Sequence, residues 1–166
     1  MWCEQSVTEM SLIREYRAGD YEEVCACFVE LQDYERGIDK HIADGASVAK
    51  KYLDYMFSRC AETGGTVFVA ELEARVVGFV SIWTKIKMKA IEESEYEYAY
   101  VSDLVVLKEH RGRGAGKALL QRAEQYARLE GAKILRIGVL AKNEVARSLY
   151  NKLGFEERIV ELSKGL

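Results

Sequence analysis

VVLKEHRGRGAGKALL, residues 105–120, runs from an apolar strand through a glycine-rich basic loop straight into an amphipathic helix. That arrangement is an anion site by construction. The first amides of a helix have no intrahelical acceptor and point outward, and the helix dipole adds positive charge at the same end. Glycine lets the backbone come close to a ligand and take positive φ. Between residues 108 and 117, Lys108, Arg111, Arg113 and Lys117 stand against Glu109, a local net charge of +3 in a chain whose overall charge is −3. A polyanionic ligand of the pyrophosphate type fits such a loop.

Two phosphate loops are excluded by counting. A Walker A loop needs a glycine where Arg111 stands and a Ser or Thr where Ala118 stands. The dinucleotide fingerprint G-x-G-x-x-G starts at Gly112 and Gly114 but meets Lys117 at its third glycine. What the segment spells is R-x-x-G-x-G, from Arg111, Gly114 and Gly116. Further on, residues 143–155 read NEVARSLYNKLGF. The two segments together, with a helix and a strand between them, resemble the GNAT acetyltransferase superfamily, whose members carry [Q/R]-x-x-G-x-[G/A] after the fourth strand and N-x-x-A-x-x-[LF]-Y-x-K-x-G-F later. The close resemblance covers residues 100–155.

Working outward, Ser11–Arg17 alternates like a short strand. Gly19 and Asp20 open a helix from Tyr21 to about Glu35, and a second spans about Ser47 to Ala61 with Leu53, Met56, Phe57 and Cys60 on one face. The period then changes to two. Thr66–Leu72 and Arg75 to about Lys87 form a hairpin, and Tyr96–Val106 is a long strand. A helix over Gly114–Glu130, a strand over Ile134–Leu140, a helix over Asn143–Leu153 and a last strand over Phe155–Leu162 complete the order. The expected fold class is α/β (α+β), a mixed, mostly antiparallel sheet flanked by helices, in a single domain over residues 1–166. The resemblance adds that strands four and five splay apart.

Composition narrows the function. Hydrophobic residues make up 49% and charged residues 31% of 166, the balance of a globular domain. No apolar run is long enough to span a bilayer, and the polar start lacks the features of a signal peptide. With four cysteines, one Cys-x-Cys pair and only His41 and His110, no zinc spacing can be assembled, so no metal is expected. Reduced thiols suit the cytoplasm. Net acidity argues against nucleic-acid binding.

The resemblance implies acetyl-CoA as co-substrate. Leu104, Val105 and Val106 would offer backbone groups to the pantetheine arm. Arg111, Gly112, Arg113, Gly114, Ala115, Gly116 and Lys117 would wrap the pyrophosphate. Asn143 would bond the cofactor as well, although asparagine is a good helix N-cap in its own right. Tyr150 matches the family tyrosine that protonates the departing thiolate; a phenol with pKa ~10 keeps its proton at neutral pH. The base is left between Asp103 and Glu97, which share a face if the strand is regular; a bulge would separate them. An amide near Val105 could polarise the thioester carbonyl.

The expected reaction is acetyl transfer to a primary amine of a small cationic molecule, polyamine- or aminoglycoside-like, by direct attack in a ternary complex. Protein or peptide acetylation and a non-catalytic acyl-CoA-binding module are the alternatives. Glu92–Glu97, with Asp33, Glu35, Asp39 and Asp44, could make an acidic rim or an ordinary solvated loop. Tyr34, Tyr52, Tyr55, Tyr96, Tyr98 and Tyr100 could line an acceptor pocket or fill the core and a dimer seam. A homodimer through Phe155–Leu162 is expected by resemblance.

Overall fold

The computed structural model describes residues 11–87 and 94–165. Its elements are β1 (Leu12–Glu15), α1 (Tyr21–Ile38), α2 (Gly45–Thr63), β2 (Thr66–Leu72), β3 (Arg75–Lys87), β4 (Glu97–Val106), α3 (Ala115–Leu129), β5 (Leu135–Ile137) and α4 (Glu144–Lys152). Local chemistry marks their ends. The Asp20 carboxylate accepts from the Arg17 amide at 2.7 Å and from the Arg14 guanidinium at 2.8 and 2.9 Å, which fixes the turn into α1. Asp44 caps α2 by accepting from the Ser47 amide at 3.1 Å. Gly64, at φ +70°, ends α2 in the left-handed conformation.

One five-stranded sheet runs β1-β2-β3-β4-β5. The first four strands are antiparallel, and β5 lies parallel to β4 after the crossover through α3. Helices cover both faces. On one, Phe68, Val80, Ile82 and Val101 pack with Leu119 and Ala123 of α3. On the other, Val69, Phe79 and Val105 pack with Phe28 of α1 and with Leu53 and Met56 of α2.

Val101 and Val105 have the same parity in β4 but lie on opposite faces, because the strand is bulged. The register passes from Ser81 opposite Asp103 to Ile82 opposite Val101, which leaves Ser102 as an extra residue. This corrects the regular-strand expectation: Asp103 turns to the α1/α2 face, whereas Glu97 keeps the parity of Ala99 and Val101 and is exposed.

Two late elements also differ. The strand expected over Ile134–Leu140 pairs only at Leu135–Ile137, and none forms over Phe155–Leu162. Alternation in sequence does not supply a neighbouring edge, and a three-residue β5 offers little to pair with. Ile159, Val160 and Leu162 are 74%, 63% and 89% exposed.

Candidate functional site

The brevity of β5 shapes the site. Its last pair with β4 is Val101 opposite Ile137. From Ser102 to Val106, β4 continues without that neighbour, so backbone groups on this edge face a gap. A cavity of about 230 Å³ opens there, walled by Ser102, Asp103 and Leu104 of β4, Ile137 and Gly138 after the splay, and side chains from α1, α2 and α4. At Gly138 an added Cβ would lie 2.7 Å from the Tyr100 hydroxyl, so a bare backbone belongs on that wall.

Four titratable groups meet in the cavity: Glu35 of α1, Tyr52 of α2, Asp103 of β4 and Tyr150 of α4. Asp103 is 6% exposed. The Tyr52 hydroxyl donates to its two oxygens at 2.9 and 3.1 Å, and the Ser102 hydroxyl donates at 2.7 Å. Burial still outweighs these donors and pushes the Asp103 carboxyl up to about 6. Burial raises Glu35 too, and the charge of Asp103 adds to the effect. Tyr150, 8% exposed, is held well above the ordinary phenol range by burial first and by Glu35 second. Its proton therefore stays on at neutral pH, as a donor requires.

Glu35 is the cavity residue whose place sequence reading missed, since it was assigned only to a rim. The available signal was its spacing: Val24, Phe28, Leu31 and Glu35 repeat at three and four residues along the inward stripe of α1. The other rim carboxylates have local tasks. Asp33 accepts from the Gly45 amide, Asp39 from His41, and Asp44 caps α2 and pairs with Arg36. Glu92 and Glu93 lie outside the described residues, and Glu95 and Glu97 are exposed.

The basic loop sits beyond the open end of β4. Gly112 and Gly114 have φ of +77° and +89°, and a Cβ on either would meet nothing within 4 Å, so the loop surface is bare. Gly114 stands at the N-cap of α3 with no side chain covering the first-turn amides. Arg113 and Lys117 are exposed, whereas Gly116 and the buried Ala115 pack inward. Arg111 is not free. Its Nε donates to the Val106 carbonyl at 2.7 Å, and its guanidinium reaches Glu30 at 3.1 Å and lies over the Tyr34 ring. It ties the loop to β4 and α1. Asn143, 6% exposed, caps α4 through the Ala146 amide at 3.2 Å and accepts from the Tyr34 hydroxyl at 3.4 Å.

The aromatic residues divide. Tyr52 stacks on Phe28 and belongs to the cavity; Tyr55, Trp83 and Tyr100 form a row beside it. Tyr96 and Tyr98 clasp Arg136. Among the described residues, no group of three or more His, Cys, Asp or Glu is arranged to hold a metal ion.

Comparison with known proteins agrees with this fold. The family model described as "Acetyltransferase (GNAT) family" matches residues 25–155. An uncharacterized N-acetyltransferase of Methanocaldococcus jannaschii is 35% identical over 133 residues, 78% of this chain; the matched region is 54% of that relative, about half its length. A crystal structure of a mutant Bacillus halodurans protein superimposes with a TM-score of 0.74 at 20% identity, over 93% of this chain and 99% of that one. An aminoglycoside N-acetyltransferase in complex with CoA superimposes with a TM-score of 0.60 at 19% identity, over 93% of this chain and 100% of that one. At such identities the structures share the fold alone. With a family match over most of its length and the same sheet and helices, the chain belongs to the GNAT acetyltransferase family.

Proposed function

We propose that this N-acetyltransferase moves the acetyl group of acetyl-CoA to a primary amine on a small cationic molecule, by direct attack in a ternary complex. The observation that carries the reading is a bare, basic loop beyond the end of β4 together with a tyrosine–carboxylate cavity at the gap where β5 leaves β4. The residues suit the co-substrate. The amides from Gly112 to Lys117, with the charges of Arg113 and Lys117, would hold the pyrophosphate. The edge of β4 at Leu104, Val105 and Val106, where Arg111 holds the Val106 carbonyl, would receive the pantetheine arm, with Asn143 at its far side. When bound, acetyl-CoA supplies an activated acetyl thioester.

The protein's own part is to orient, to exclude water and to hold protons. Tyr150 keeps a proton at its hydroxyl for the departing sulfur. Asp103, fixed by Tyr52 and Ser102, puts negative charge where the attacking nitrogen turns positive. Glu97 is outside the cavity and takes no part. The cavity's acidity and small volume support a compact, cationic acceptor of the polyamine or aminoglycoside kind. Free thiols at Cys25, Cys27 and Cys60 suit a cytoplasmic enzyme. Exposed Ile159, Val160 and Leu162 support a homodimer through the Phe155–Leu162 segment.

Calorimetric titration with acetyl-CoA, CoA and dephospho-CoA tests the co-substrate, and thiol release with a panel of amines tests transfer. Saturable binding weakened by Arg113→Ala, followed by turnover on free amines, is expected. A folded sample that binds no CoA would overturn the assignment. Acetylation of peptides but not free amines would move it to peptide acetylation, and binding without turnover to an acyl-CoA-binding module.

A further inference from the structure

We infer that Glu35 of α1 is the carboxylate that receives the acceptor's ammonium group and takes its proton, in a cavity it shares with Asp103. The inference rests on the transferase reading above and deepens it. A primary amine with pKa near ~10.4 arrives protonated at neutral pH and cannot attack until it loses that proton. Two carboxylates line the cavity, and they are differently equipped. Asp103 already accepts from Tyr52 at both oxygens and from Ser102 at one. Those two donors hold it rigid and fill part of its accepting capacity, whereas the Glu35 carboxylate keeps all of its own. The Glu35 carboxylate accepts no hydrogen bond and forms no ion pair among the described residues, although it is only partly exposed and lines the same space.

The surroundings make the vacancy specific for a cation. Asp103 from β4, Tyr52 from α2 and Tyr150 from α4 are the titratable groups that line the cavity with Glu35, Tyr100 lies behind Asp103 and Tyr150, and no Lys, Arg or His lines the cavity. The nearest basic residue along α1, Arg36, pairs with Asp44 at 3.2 Å instead. A carboxylate that is partly buried beside another, with no internal cation, gains most from a ligand that brings one.

The proton inventory closes. An N–H bond of the ammonium breaks and an O–H bond forms on Glu35, which frees the nitrogen lone pair. The nitrogen forms its bond to the acetyl carbon as the carbon–sulfur bond breaks. The thiolate takes the Tyr150 proton. The second nitrogen proton returns to the Tyr150 oxygen, and Glu35 releases its proton to solvent. One ammonium and one thioester give one amide, one thiol and one proton.

The test compares wild type, Glu35→Gln and Glu35→Asp with 1,6-diaminohexane as the amine and acetyl-CoA as donor, following thiol release from pH 6 to 10. CoA affinity is measured by calorimetry for each protein. Glu35→Gln should lower kcat/KM about 10²-fold, raise KM for the diamine, shift the acid limb of the profile and leave CoA affinity unchanged. Glu35→Asp should recover part of the rate. Wild-type turnover with Glu35→Gln at the same rate and the same acid limb would overturn the role of Glu35 and leave the transferase reading standing. A wild type that binds CoA but acetylates no amine would overturn the transferase reading itself.

Discussion

Wild-type protein and Asp103→Asn should differ in stability by an amount that changes with pH. Asp103 is 6% exposed, and burial lifts its carboxyl from the ordinary 3.8 to about 6 in spite of the Ser102 and Tyr52 donors. For an acid raised in the fold, the favourable contribution is fully present below the unfolded value and is lost as pH rises through the folded value. The window is therefore 3.8 to about 6. The lift corresponds to roughly 3 kcal/mol in full, of which about 2.5 kcal/mol is lost between pH 4 and pH 7. Asparagine has no proton to lose, so the variant escapes this penalty. Its amide nitrogen cannot accept from Ser102 or Tyr52, and that loss is a constant offset at every pH. Other carboxylates cancel in the difference, except Glu35. Asp103 holds Glu35 upward, so the substitution relaxes Glu35 and adds to the change with the same sign. Urea unfolding followed by circular dichroism at half-unit steps from pH 4 to 7.5 reads the effect. The variant should gain on wild type by about 2.5 kcal/mol across that range. A difference that stays constant, or that moves in favour of wild type as pH rises, would refute a carboxylate forced into a desolvated cavity.

Three further outcomes are expected. Tyr150→Phe should slow acetyl transfer about 10²-fold while CoA affinity by calorimetry stays at the wild-type value. Arg111→Ala should lower stability by about 1–2 kcal/mol as well as weaken CoA, because Val106 and Glu30 lose their donor; exposed Arg113→Ala should weaken CoA and leave thermal unfolding unchanged. Gly78→Ala should lower Tm by roughly 10 °C, for about 3 kcal/mol of strain, because the new Cβ would lie 2.5 Å from the Val105 carbonyl in the strand that borders the gap.

What the sequence made legible was local. The hairpin needed only Thr66–Leu72, a two-residue turn and Arg75–Lys87, and the structure has those bounds. The start of α4 lies beside a side-chain cap that can be read directly, Asn143, whereas Asp44, read as part of a rim, caps α2. The strand expected over Phe155–Leu162 does not form, since its apolar residues say nothing about whether an edge is free to receive them. The bulge at Ser102 was equally hidden. It is set by how β3 and β4 pair, and it turned Asp103 toward α2 while Glu97 stayed with the opposite face.

The same contrast divides the site into two halves of different origin. The loop half is built within about a dozen consecutive residues: positive φ at Gly112 and Gly114, then the start of α3. A short stretch of chain can carry that geometry intact. The acceptor half has no such unit. Its hydrogen bond from Tyr52 to Asp103 joins residues 51 apart, and Glu35 enters from a third element, α1, whose Asp33 and Arg36 join it to α2 through the Gly45 amide and Asp44. A substitution in α1 or α2 can therefore reshape what the cavity accepts without touching the loop. That is why the co-substrate proposal can be argued from a motif, whereas the acceptor proposal rests on the place where α1, α2, β4 and α4 converge.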